Sequence, residues 1–280
     1  LKHKYTFSFV VNTGITQQKQ GKSFMVQQAG INFVVAPDYL PDHFSHWYLL
    51  SSHLQRETEL SIHLHLPANA AEIQELAEGG KMDMLYANAF DAVVLIKDKG
   101  YLPLVCLKDK FDEAVVAVSA ESEYQKIEDL PVDALIKTGP NPDIRCLGLR
   151  LLKQAGLDVE QLKIEEAATF PQAASALIRG QAQAGFFLAS TYAHMSKRTL
   201  EQLRVLQEGS FAAVTHMVVL HPDFAEQQEA LRQAFAEMAD KPTGKTTLEA
   251  LDLPAGFATL TQEAAEQMVA DAEENGKQDD

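Results

Sequence analysis

From Ile31 onward, short apolar runs alternate with longer segments whose apolar residues recur every three or four positions. That alternation constrains the fold more than any other feature of the chain. A strand followed by a crossover helix leads into a strand parallel to the first, so a series of such units builds a parallel sheet with helices on its faces. "INFVVAPDYLP" reads as a strand running into a proline-rich loop. Asp42 to Thr58 follows as a helix, with Phe44, Trp47, Leu50 and Leu54 on one face. "LSIHLHLP" alternates with period two and is a strand. "ANAAEIQELAEGG" carries its own helix signals: Asn69 at the N-cap, Glu72 three residues on, Gly79 and Gly80 at the stop. "MDMLYA" is a short buried strand, Asn88 to Lys99 a helix closed by Gly100, and "YLPLVCLKD" an extended segment broken by Pro103.

A second series begins with the strand "DEAVVAVSA", the helical turn "KIEDL" and the strand "ALIKTG". The helix after Pro142 buries Ile144, Leu147, Leu151 and Ala155 and stops at Gly156. "LKIEEAATF" is a strand, and Pro171 sits at the start of the next helix, a position that suits proline. "QAGFFLA" is a strand and "FAAVTHMVVLHP" a long one. Helices over Asp223 to Met238, Thr246 to Leu251 and Thr261 to about Asn275 complete the chain. The expectation is an α/β protein of two lobes, with a ligand cleft at the carboxyl ends of the strands. Residues 31–105 and 214–280 form the first lobe, 106–213 the second, and 1–30 an N-terminal extension of uncertain structure.

Composition narrows the function. The 280 residues are 46% hydrophobic, enough for two proper cores, and carry a net charge of −15. Such an acidic chain is a poor partner for a nucleic-acid backbone or an anionic membrane. No apolar run approaches the length of a membrane-spanning helix. Two cysteines, Cys106 and Cys146, make no metal-binding spacing, and their disulfide state is left open.

Nine histidines raise the question of a metal. His43 and His46 lie three apart at a helix start, and His63 and His65 share a strand face, but no further ligand stands near enough to complete a set. "TGKTT" at Thr243 to Thr247 resembles part of a phosphate-binding loop, yet Ala239 stands where the first glycine is required. Nucleophile-elbow and zinc-protease motifs are absent. His216 could act as a base near the interlobe strand, but an ordinary hydrogen-bond partner is the simpler expectation. The chain is therefore read as a non-enzyme without metal or cofactor.

Three stretches resemble one family. They are "GGKMDMLYANAFDAVVLIKDKGYLPLV", then "DEAVVAVSAESEYQKIEDL" with "LGLRLLKQAGLD", then "LHPDFAEQQEALRQAFAEMADKPTGKTTLEALDLPAGFATLT". In order and spacing they resemble the phosphate/phosphite/phosphonate-binding (PhnD-type) solute-binding proteins of ABC transporters, over about residues 31 to 270. The resemblance implies a type 2 periplasmic-binding fold, each lobe a mixed, mostly parallel sheet flanked by helices. It implies a monomer that serves an ABC permease or a membrane sensor, in the periplasm or outside the cell. The alternative is an enzyme or a cytoplasmic regulatory ligand-binding module on the same scaffold, and a start at Met25 would make the protein cytoplasmic.

The second lobe departs from the family pattern. Where the family has a Ser-Thr-Ser-Gly-like loop, this chain has "GPNPDIR". Phe170-Pro171 replaces a helix-opening histidine, and Gln183 replaces an acidic residue. Asp143 would repel an anion at its helix end. Methylphosphonate and 2-aminoethylphosphonate are therefore expected to bind weakly or not at all. A ligand of lower charge, such as a small zwitterion or an anion held through Arg145, is expected instead. The residues expected to line the cleft are Tyr39, Tyr86 and Asn88 from the first lobe. Asn141, Asp143 and Arg145 supply the second, with Phe170 and Ser190 as side walls.

Overall fold

The computed structural model describes residues 30–37, 41–210 and 214–274. The expectations for the N-terminal extension before residue 30 and for Tyr39 lie outside the described residues.

The chain opens with β1 (Ile31–Val35), α1 (Phe44–Thr58), β2 (Ile62–His65), α2 (Ala70–Glu78), β3 (Met84–Ala87), α3 (Ala89–Lys99) and β4 (Leu102–Leu107). It continues through β5 (Glu113–Ser119), β6 (Leu135–Thr138), α4 (Pro142–Gln154), β7 (Lys163–Glu166), α5 (Phe170–Ile178) and β8 (Ala184–Leu188). Two short helices follow, α6 (Ala189–Ala193) and α7 (Lys197–Leu200), then β9 (Leu203–Ser210) and β10 (Met217–Leu220). The last elements are α8 (Gln228–Ala236), α9 (Pro242–Ala250), β11 (Phe257–Thr259) and α10 (Gln262–Glu274).

Two mixed sheets result. The first runs β11-β4-β10-β3-β1-β2 and the second β7-β6-β8-β5-β9. In the first, β1, β2 and β3 are mutually parallel, while β10 is antiparallel to both β3 and β4. In the second, β6, β7 and β8 are parallel and β5 is antiparallel to β8 and β9. The strand-helix alternation accounts for the parallel members. The reversed strands β5 and β10 have no crossover helix before them; each enters its sheet directly from the other.

Period-two burial places the first sheet between two apolar layers. Ile31, Phe33 and Val35 face α1, α8 and α9, where Phe33 meets Trp47 and Phe235 edge-on at ring separations of 6.4 and 6.3 Å. Val34 and Ala36 face the other way, toward α2, α3 and α10. The second sheet has its own core around Ile136, Phe186 and Phe187, closed by α4 and α5.

Several sequence readings need correction. Of the long strand expected over 211–222, residues 211–213 lie outside the described residues, 214–216 take no strand conformation, and the strand itself is β10. The strand β9 went unread, since its exposed and buried residues do not alternate cleanly. The helix expected from Asp223 begins as a 3-10 turn over Pro222–Gln227, with a non-helical Phe224, before α8. Pro103 does not break its strand: β4 carries an extra residue opposite β10 between the Val218 and Val219 pairings, a bulge that accommodates proline. The "TGKTT" segment is the start of α9, and its glycine has a packing reason. A Cβ on Gly244 would lie 2.1 Å from the Met238 carbonyl oxygen. No disulfide joins Cys106 in β4 and Cys146 in α4.

Candidate functional site

Strand direction fixes where a ligand can meet both sheets. The carboxyl ends of β1, β2 and β3 share one edge of the first sheet, and β10 enters at that edge, Met217 pairing with Ala87. Likewise β6, β7 and β8 end together, and β5 enters there, Ala114 pairing with Leu188, while β9 leaves with Ser210 opposite Glu113. The connections from β4 to β5 and from β9 to β10 therefore run from carboxyl edge to carboxyl edge. The two edges are brought to face each other, and α3 of the first half packs against α4 of the second.

The crossings are laced together. Asp112 N–H donates to the Val214 carbonyl at 2.9 Å, Leu107 N–H to His216 at 3.1 Å, and Thr215 Oγ1 to Lys110 at 2.6 Å. His216 Nδ1 lies 3.0 Å from Asp112 Oδ1, and both residues are buried. His216 thus has an ordinary carboxylate partner. Its ring stacks on Tyr86 at 5.1 Å, and Trp47 covers Tyr86 at 4.9 Å. Tyr86 is 7% exposed, so its ring is part of the wall itself, leaving little of its flat surface for a ligand.

Asn88 is buried and caps α3, its Oδ1 accepting from Asp91 N–H at 3.0 Å while its Nδ2 donates to Asp91 Oδ2 at 2.8 Å. Asn141 occupies the N-cap position of α4 but makes no side-chain cap bond. Asp143 is fully buried in the first turn of α4, and Arg145 is half-buried two residues further. Phe170 opens α5 and is packed into the second core against Phe187, at 6.3 Å, and over Gly139. A Cβ on Gly139 would fall 2.4 Å from the Phe170 ring, so the glycine lets the β6–α4 loop lie flat on that ring. Ser190 lies in α6, half-buried, its carbonyl 2.7 Å from His194 Nδ1. Tyr192 packs under the edge against Phe187, and its burial pushes the phenol pKa up.

Two residues of this edge escaped the sequence reading. Thr138 ends β6 and is 1% exposed. Glu166 ends β7 beside it; burial raises its pKa, and nearby Arg145 partly offsets that. Both are the last residues of strands whose neighbours had drawn attention, and strand-end position alone could have marked them.

Gln183 is the departure that the structure reinterprets. Its Oε1 accepts from Leu135 N–H at 2.8 Å, ahead of β8, at the amino edge of the sheet. Asp83 does the same in the first half, accepting from Asn32 N–H at 2.8 Å ahead of β3. Both side chains close the edge opposite the cleft, so Gln183 carries no information about a ligand.

A groove of about 480 Å³ between Pro103, Arg232 and Thr261 also lies at the amino end of β4, on that far side. Its Arg232 is engaged with Glu229 at 2.9 Å and the Pro103 carbonyl at 3.1 Å. Among the described residues no three His, Cys, Asp or Glu side chains converge as a metal set, and no helix is long and apolar enough to cross a membrane.

Two facing carboxyl edges joined by a double crossing define a bilobal binding protein. Residues 33–265 match the family described as ABC transporter, phosphonate, periplasmic substrate-binding protein, and the chain belongs to that family. Among solved structures it is similar to PhnD1 from Prochlorococcus marinus in complex with methylphosphonate, with TM-score 0.71 and 14% identity over 89% of this chain and 97% of that one. A binding protein component of an ABC phosphonate transporter from Pseudomonas aeruginosa aligns with TM-score 0.67 and 14% identity, covering 89% and 88%. The alkanesulfonate-binding protein SsuA from Xanthomonas axonopodis pv. citri, bound to MOPS, aligns with TM-score 0.56 and 17% identity, covering 86% and 83%. No curated protein matches the sequence. The resemblance read from the three sequence stretches is thus the family to which the chain belongs, and its type 2 periplasmic-binding architecture is the one observed.

Proposed function

We propose that this protein captures a small organic solute between its two carboxyl edges and delivers it, as a monomer, to an ABC permease or a membrane sensor. The observation that carries the reading is the pair of crossings linking those edges, because a ligand touching both sides would favour the closed form over the open one. The lobes divide within the crossings, with residues 31–107 and 217–274 on one side and 113–210 on the other. The cleft residues are Tyr86, Asn88, Asn141, Asp143, Arg145, Phe170 and Ser190. Tyr86 and Phe170 serve as walls, and the polar groups come chiefly from the β6–α4 loop.

The preferred solute is not a simple alkylphosphonate. A phosphonate carries up to two negative charges, and Asp143 stands buried at the helix end that would have to receive them. The test is a thermal-shift screen of phosphonates, sulfonates, carboxylates, amines and zwitterions, followed by calorimetry. A ligand at 100 times its Kd adds about 2.7 kcal/mol of stability, a readily measured shift. Micromolar or tighter binding of methylphosphonate would overturn the exclusion of phosphonate. A screen in which nothing binds would overturn the capture role.

A further inference from the structure

The start of α4 is built unlike an anion-binding helix end. Pro142 at its first turn has no N–H to offer. The helices α2, α3 and α5, which also follow strand ends, are capped by the side chains of Asn69, Asn88 and Thr169. Asn141 is not used in that way. It is 4% exposed, and its Oδ1 has no hydrogen-bond partner among the described residues. Thr138 Oγ1, three residues earlier, is equally buried and equally without one.

Buried polar atoms are nearly always paired, because an unpaired one costs about 1–3 kcal/mol. Two such atoms, one at the end of β6 and one on the loop after it, at the edge that faces the other lobe, mark a place where a ligand supplies the missing bonds. An amide or a hydroxyl can accept or donate. The charges beside them set the sign. Asp143 is fully buried in the same turn, Glu166 ends the neighbouring strand, and Arg145 is close enough to Glu166 to lower its pKa. Of these three side chains two are acidic and one basic, a set that suits a cation better than a second anion.

We infer that the β6–α4 corner receives the ammonium group of a small zwitterion, with Asn141 Oδ1, Thr138 Oγ1 and the Asp143 carboxylate as its acceptors. This inference rests on the reading of the chain as a solute-binding protein. It places a cation at the helix end where the loop pattern of the family would place an anion. The zwitterion needs only a single negative charge elsewhere, so amino-carboxylates and amino-sulfonates are its class.

The test is calorimetry on matched pairs that differ only in the amine: β-alanine against propionate, γ-aminobutyrate against butyrate, and taurine against ethanesulfonate. In at least one pair the amine should bind tenfold or more tightly than its partner. Asp143→Asn should erase that gap, and Thr138→Val, which keeps the shape and removes the acceptor, should narrow it severalfold. Should Asp143→Asn fail to fold, Thr138→Val decides alone. Equal binding within every pair, a gap that both variants leave intact, or silence from all six probes overturns the inference. The last result leaves the capture role standing if the wider screen finds another solute, and a wider screen that finds none removes both.

Discussion

His216 Nδ1 lies 3.0 Å from Asp112 Oδ1, which places a buried side-chain contact between the two chain crossings that join the lobes. Asp112 precedes β5 and His216 precedes β10, so the contact ties the entry of one sheet to the entry of the other. It also reaches the cleft, because the His216 ring stacks on Tyr86 at an interplanar angle of 25°. Asp112→Ala removes the carboxylate from a buried imidazole nitrogen and should cost about 1–3 kcal/mol. Asp112→Asn keeps an acceptor and should cost less than half as much. Urea denaturation of both variants checks this, and an alanine variant as stable as the parent would dismiss the contact as incidental.

Tyr86 separates wall from ligand contact. With Trp47 and His216 on its two faces and 7% of its surface exposed, it belongs to the first core. Tyr86→Ala should therefore destabilise the unliganded protein by about 3–5 kcal/mol, the usual loss for a large buried aromatic. Arg145→Ala, at a half-buried helix position, should change stability by less than about 1 kcal/mol. Melting of the two unliganded variants makes the comparison, and equal melting temperatures would contradict the buried placement.

Gln183 and Asp83 make the same bond in the two halves, each from the amino edge to the backbone of the adjacent strand. Gln183→Ala leaves the Leu135 N–H without its acceptor and should cost about 1–2 kcal/mol. It should leave the affinity for any solute found by the screen unchanged within twofold, because the side chain lies at the edge away from the cleft. A variant that loses affinity but keeps its stability would reverse that assignment.

Much of the fold was legible because local chemistry and tertiary role agree. Asn69 and Glu72 cap α2 as their spacing implies, with Glu72 N–H donating to Asn69 at 3.1 Å and Glu72 Oε2 accepting from Ala68 N–H at 2.8 Å. The period-two run at Ile31 to Val35 packs one layer on each face. What escaped was set by partners distant in sequence. The strand β9 exists because β5 pairs along it from Glu113 to Ser119, and its own residues alternate too weakly to announce it. Asn88 and Asn141 look alike in sequence, each an asparagine before a helix. Only packing decides that the first caps its helix while the second is left with a buried oxygen that has no hydrogen-bond partner among the described residues. Tyr86 could not be separated from a ligand contact by its strand-end position, since Trp47 and His216 come from other elements.

The histidines of the first lobe make stability depend on pH in a stated direction. Burial lowers the pKa of His43, and Lys110, His46 and His194 lower it further against the pull of Asp252. Burial also lowers His53, with Arg56 and Lys241 acting the same way and Glu57 opposing them. His65 is lowered by burial, then by Lys81 and His63, with Asp83 opposing. In the unfolded chain each imidazole returns to about 6.5 and takes up its proton there. The folded protein accepts those protons only at lower pH, so the unfolded state binds more of them in between and gains by linkage. Their contribution to stability is whole above about pH 6.5 and is lost as the pH falls below it. Glu166 acts in the opposite sense. Its pKa is raised in the fold, so it favours folding while protonated and ceases to as pH rises through its folded value. The melting temperature should therefore climb between about pH 5.5 and about pH 7.5, where histidine titration dominates. The triple variant His43→Gln, His53→Gln, His65→Gln should flatten that climb, and Glu166→Gln should leave it in place. A parent protein with a level profile over this range, or a triple variant that climbs as steeply as the parent, would remove these three side chains as the cause.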